Sequence, residues 1–140
     1  MKQWFLALLF VGLAGKAALA TPAVCLLDYG RYCWTDNCQT MTASAQLTIQ
    51  FSPAMLRDCR VSEGKLVCKE VQLSMSQTST GYAAVGSDGD NAIFIVLNKQ
   101  DGNVVLTTVT LTASETQREL RKRELRNVVI EVGGCALPIE

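Results

Sequence analysis

Cys59 and Cys68 lie at equal distances from the dipeptide Glu63-Gly64, and that symmetry constrains this chain more than any other feature. Glu63-Gly64 suits a two-residue hairpin turn. Pairing outward sets Ser62 against Lys65, Val61 against Leu66, Arg60 against Val67 and Cys59 against Cys68. Antiparallel pairs alternate between hydrogen-bonded and non-hydrogen-bonded sites, and counting from the turn makes Cys59–Cys68 a non-hydrogen-bonded pair. Side chains approach most closely there, at a Cα separation of about 4.5 Å, the short end of the disulfide range. Val61 and Leu66 share the face that carries the bridge.

Six cysteines allow fifteen connectivities. Cys33 and Cys38 are close in sequence and favour a local bridge. With Cys59–Cys68 set by the hairpin, Cys25–Cys135 takes what remains. Zinc and redox chemistry both expect Cys-x-x-Cys spacings, which these cysteines lack.

Residues 1–20 have the three-part layout of a secretory signal. Lys2 supplies the positive start, Trp4 to Ala14 an apolar core, and Ala18-Leu19-Ala20 the small residues before a cut after Ala20. That core is shorter than the roughly 20 residues a spanning helix needs. The expectation is a signal peptide over 1–20 and one disulfide-stabilised β domain over 21–140, periplasmic or secreted, where disulfides persist. Without Lys2 and Lys16 the domain has 11 basic against 13 acidic residues. That balance argues against a nucleic-acid partner, which favours a basic stripe, and no further apolar run reaches membrane-spanning length. The chain has no histidine, which excludes Ser-His-Asp and Cys-His catalysis and any metal site built on imidazole.

Residues 43–51 alternate, with Leu47, Ile49 and Phe51 on one face, and read as a half-buried strand ended by Ser52-Pro53. Residues 69–78 form another strand through Val71, Leu73 and Met75. Residues 81–111 read as a three-stranded meander. A turn at Asp88-Gly89 pairs Val85 with Ala92, and one at Asp101-Gly102 pairs Leu97 with Leu106. Ile93 to Leu97 is apolar on both faces and is expected centrally in the sheet. Asn127 to Val132 is the last strand, and residues 21–42 read as irregular. Ser114 to Arg126 has a capping box and few apolar residues, and reads as a short solvated helix. The fold class is mainly β: a small antiparallel barrel or sandwich with a short helix near 114–126, stapled by disulfides.

The loop Tyr29 to Cys38 gathers Arg31, Tyr32, Trp34 and Asp36 around a small covalent ring. Tyrosine, tryptophan and arginine dominate binding hot spots, and a preorganised loop loses less entropy on binding. The competing reading is that the aromatics plug one end of a barrel. Asp88, Asp90 and Asp101 sit in turns without the calcium-loop spacing. Asp28, Asp36, Asp58 and Glu70 are carboxylates that sequence alone does not bring together, and no nucleophile elbow, phosphate loop, cofactor motif or metal cluster is present.

The Tyr-x-Cys segment Tyr32 to Cys38, the cysteine hairpin Cys59 to Cys68 and the terminal Gly134-Cys135 resemble small uncharacterised exported proteins of proteobacteria. That resemblance implies location. Thr80-Gly81-Tyr82, Asp88-Gly89 and Phe94 are similar in order to the inhibitory segment of the periplasmic inhibitors of c-type lysozyme, small disulfide-bonded β-barrels. That similarity implies Tyr82 as a binding residue. The expected function is an exported, non-enzymatic binding module of the bacterial envelope, with no cofactor and with an unknown protein or envelope component as partner. The alternative is a secreted or periplasmic inhibitor of a hydrolase.

Overall fold

A computed structural model describes residues 21–34, 37–89, 91–110 and 127–136. Eight antiparallel strands, each paired with its sequence neighbours, close into a barrel. They are β1 (Ala23–Trp34), β2 (Asn37–Phe51), β3 (Ala54–Ser62), β4 (Lys65–Gln77), β5 (Gly81–Asp88), β6 (Asn91–Asn98), β7 (Asn103–Thr110) and β8 (Asn127–Cys135). The helix expected over 114–126 lies outside the described residues.

The segment 21–42, read above as irregular, is instead β1 and the start of β2. Its period is hidden for two reasons. Val24 and Leu26 point outward yet are apolar, so burial of Ala23, Cys25 and Leu27 leaves no polar alternation. An irregularity between Leu27 and Tyr29 then shifts the register, and Gly30 becomes the next inward position.

The β3–β4 hairpin has the expected register, from Ser62↔Lys65 to Cys59↔Cys68. Glu63 and Gly64 both hold positive φ, 51° and 74°, as a two-residue turn matched to strand twist requires. Two other registers differ from expectation by two residues. Val85 faces Phe94, and Asp88 faces Asn91, so the turn is 89–90. Leu97 faces Val104, and Leu106 faces Ile95. Here the loop runs over 99–102: the Asn98 side chain accepts from the Gln100 amide, the Asp101 side chain accepts from the Asn103 amide, and Gly102 donates to the Asn98 carbonyl. A shift of two keeps every side chain on its own face, so the inward set is unchanged.

Eight strands enclose a lumen that side chains can just fill. At the end bearing the 52–53, 78–80 and 99–102 connections it is dry. Cys25, Leu47, Ile49, Leu56, Leu97, Val104 and Leu106 are almost wholly buried there. The Phe51 and Tyr82 rings pack tilted with centroids 4.6 Å apart, and Lys99 lies over the Tyr82 ring.

The outer wall is two-sided. From β2 to β4 it shows mostly Thr, Ser, Gln, Arg and Glu. From β5 to β8 it is apolar. One row runs Ala83, Val96, Val105, Val132, Tyr29, and the next Val85, Phe94, Thr107, Ile130. Ile93–Leu97 is central in the sheet, paired with β5 and β7, but no strand among the described residues covers its outer face. Phe94 and Val96 point to solvent, because a closed barrel has no second layer.

Three disulfides join directly opposed residues: Cys25–Cys135, Cys33–Cys38 and Cys59–Cys68, with Cα separations of 3.9, 4.0 and 4.0 Å. The first links the first and last strands in the core. Beside it Gly133 has no side chain because a Cβ would run into the Leu26 carbonyl. The chain-entropy relation assigns about 4–5 kcal/mol to the long bridge, about 2.5–3 to Cys59–Cys68 and about 2 to Cys33–Cys38. Denaturant unfolding of Cys25→Ala/Cys135→Ala should show the larger loss, and Cys33→Ala/Cys38→Ala the smaller.

Candidate functional site

The two ends of the barrel differ because the inward positions turn polar along the strands. On β3, Leu56 is followed on the same face by Asp58 and Arg60. On β8, Val129 is followed by Glu131. Arg60 Nη1 and Nη2 donate to the two Glu131 oxygens at 2.8 and 2.7 Å. Its Nε donates to Asp58 Oδ1 at 3.0 Å, and Nη2 also donates to Oδ2 at 3.0 Å. Such two-pronged guanidinium–carboxylate contacts are among the stronger ion pairs. The Arg60 guanidinium is held well above its ordinary pKa, first by the Glu131 hydrogen bonds and then, against partial desolvation, by Asp58.

Glu131 is 2% exposed and Arg60 37%. The pair spans the lumen, since β1 and β2 lie between β8 and β3 in the barrel. Gly30, Ala43 and Ala45 are the small inward residues on those intervening strands. A Cβ on Gly30 would press on Met41 at 2.9 Å and approach Glu131 at 3.4 Å. Small residues therefore leave the path that Arg60 crosses.

Above this strut is a cavity of about 270 Å³. Its floor is apolar, including Leu56, Val71 and Ile93, and its rim carries Lys69, Asp88, Asn91 and Thr108. Thr110 Oγ1 donates to Asn91 at 2.8 Å, and Lys69 meets Asp88 at 3.4 Å. Asp58 and Glu131 each engage Arg60 with both oxygens, so the cluster holds two strands in place across the lumen.

The mouth is also where strands part. The β4–β5 ladder runs only from Leu73↔Gly86 to Gln77↔Tyr82. Within the described residues, Lys65 to Gln72 thus pair with β3 alone, leaving a fork whose groove is lined by Glu70, Gln72, Val85 and Ser87. The β2–β3 ladder stops at Ala45↔Arg60. The tip of the β3–β4 hairpin therefore stands clear of both neighbours as a finger, stapled at its base by Cys59–Cys68. Val61 and Leu66 on its outer face are 68% and 69% exposed.

The β1–β2 hairpin ends at the same mouth. Arg31 is exposed and opposite Thr40 and Ile130 on the outer face, whereas Tyr32 is half-buried and opposite Val129, on the mouth-lining face. Trp34 pairs with Asn37 in the backbone ladder; its side chain and Asp36 lie outside the described residues. Tyr82 is at the opposite, dry end against Phe51, so the structure does not bring it together with Arg31 and Tyr32. Asp28 and Glu70 are exposed on the outside, away from Asp58. Sequence reasoning missed the Arg60–Glu131 strut. Its signal was a charge in the buried phase of two strands, Asp58-x-Arg60 after Leu56 and Glu131 after Val129.

Comparison with protein-family models, curated proteins and solved structures returns no match.

Replacing Arg60 with Met should strand the Glu131 carboxylate in the lumen. Breaking a buried pair from one side costs roughly 3–5 kcal/mol, and the partial exposure of Arg60 places the loss near the lower figure. The double change Arg60→Met/Glu131→Leu should recover most of it, because replacing both partners with apolar groups is often nearly neutral. Equilibrium unfolding of the single and double variants checks this.

Proposed function

We propose that this protein is an exported, non-enzymatic binding module of the bacterial envelope that engages a protein partner with the mouth end of its barrel. The observation that carries the reading is the β3–β4 finger. It is clamped by a disulfide, free of neighbouring strands, and tipped by two aliphatic side chains with most of their surface in water. A rigid apolar tip binds without first being ordered, and isolated exposure on that scale at a preformed hairpin fits an anchor residue. The Cys33–Cys38 hairpin, whose Tyr32 lies on the mouth-lining face, provides a second contact at the same end.

Three disulfides in a small barrel are consistent with an oxidising, extracytoplasmic compartment. With the leader-like residues 1–20, they support a periplasmic or secreted location. The polar outer wall over β2–β4 supports a barrel in water, since a transmembrane barrel needs an apolar band around its whole circumference. The Arg60 strut supports a non-catalytic lumen, with both carboxylates committed to one guanidinium.

The finger also favours a second reading, an inhibitor of a hydrolase. A stapled projecting hairpin has the form needed to enter a cleft. If the similarity to lysozyme inhibitors is functional, this finger is a better wedge than Tyr82, which packs inside the dry end.

The test uses the oxidised protein recovered after export, as bait in periplasmic extract and host fluids and as an additive to c-type lysozyme. Wild type should retain one stoichiometric partner. Val61→Ser/Leu66→Ser should weaken that complex by about 2 kcal/mol or more and leave folding stability within about 0.5 kcal/mol. Unchanged affinity in the double variant would remove the finger from the interface. Slowing of lysozyme by wild type, lost in the variant, would favour the inhibitor reading.

A further inference from the structure

The apolar outer wall is at a different place from the finger and is not explained by it. Its centre is Phe94 and Val96 on β6, 45% and 56% exposed, flanked by Val85 on one side and Ile130 on the other. Tyr29 continues it onto β1. A third row, Ala92, Val109 and Val128, adjoins these two; over the three rows β6, β7 and β8 carry no charged residue outward, and Thr107 is their one polar residue. Contiguous apolar patches above a few hundred Å² mark interaction sites on soluble proteins.

We propose that this wall is the contact face of a two-fold homodimer. Its size fits. The eleven apolar positions of these rows, at about 4.8 Å by about 6.7 Å each, cover roughly 350 Å². A standard interface takes about 800 Å² from each partner, and in homodimers about 65% of that is apolar. The wall therefore supplies about two thirds of the apolar part of one side, with Ser87, Arg31 and the surrounding polar residues as rim. Its chemistry fits a second copy better than a foreign partner. Transient hetero-interfaces are about as apolar as ordinary surface, whereas homodimer interfaces are more so. The β6–β8 part of this face carries no charge and meets itself without repulsion, as a two-fold contact demands; Arg31, opposite Ile130 on β1, lies at its edge. Two such faces can stack about 10 Å apart with strands nearly aligned, as the layers of a β-sandwich do. Residues 111–126 are poor cover from within the chain, with three leucines among eight charged side chains.

Sedimentation equilibrium of the oxidised exported protein tests the proposal. Twice the chain mass should be found at about 100 micromolar, with dissociation on dilution. Phe94→Glu and Val96→Glu should each weaken the dimer at least about thirtyfold, and Thr48→Glu on the polar wall should not. Radical footprinting of wild type gives a readout independent of variant folding: Phe94 should be protected when concentrated and reactive when dilute. A monomer at about 100 micromolar overturns the proposal, as does a dimer that both glutamates leave intact. A monomer that instead floats with phosphatidylglycerol vesicles through Phe94 also overturns it and assigns the wall to lipid.

Discussion

The structure depends on one closure, the pairing of the first strand with the last. An eight-stranded sheet left open would expose two edges and lose its inside. Here β1 and β8 pair from Cys25↔Cys135 to Cys33↔Val128, and the disulfide at one end of that ladder makes the closure covalent. Gly133 permits it, because the strands approach too closely for any Cβ at that position. Once the sheet is closed, alternate side chains are committed to lumen or solvent, and each strand's composition decides which part of the lumen stays dry.

The division of the lumen follows from that commitment. Leucine, isoleucine and valine fill one end. At the other, Asp58, Arg60 and Glu131 occupy inward positions that apolar packing cannot satisfy, so they satisfy one another. The charged strut needs partial solvation, and the half-exposed Arg60 supplies it. Lumen filling, not ladder continuity, ties β3 to β8 at this level. The β4–β5 ladder can therefore end at Leu73 without opening the core, which frees the fork and the finger. The groups most available to a partner thus lie at the end where barrel packing is weakest.

Much of the fold was legible in the sequence because a two-residue period and a two-residue turn are local facts. The Glu63-Gly64 hairpin, the inward face of β2 and a mainly β antiparallel fold, barrel or sandwich, follow from such facts; the closure of β1 on β8 decides for the barrel. Where the outward face is also apolar, as in Val24-x-Leu26, the period disappears, and β1 read as irregular for that reason; Phe94-x-Val96 lacks the period too, yet β6 is central in the sheet as its apolar run implied. The two-residue errors at 88–91 and 98–103 arose because Asx side chains and glycine allow several loop lengths with the same faces. The candidate site was less legible. Tyr32 lies on the mouth-lining face whereas Arg31 lies on the outer wall, the place of Tyr32 beside the finger depends on ladders that end early, and Arg60–Glu131 is a contact across 71 positions of sequence. Only closure brings those groups together.

The central claim is that one end of the barrel is sealed and the other carries, among the described residues, preformed strand edges without a partner strand. Native-state hydrogen exchange on the oxidised protein, resolved by residue, tests it most directly. Within β4, the amides of Leu66, Cys68 and Glu70 occupy non-hydrogen-bonded sites toward β3 and point to the free edge. They should exchange rapidly, while the amides of Leu47, Ile49, Leu97 and Leu106 approach the protection of global unfolding. Protection of Leu66, Cys68 and Glu70 as strong as that of Leu47 would contradict the account, because it would mean that the fork is closed and the finger is part of a continuous wall.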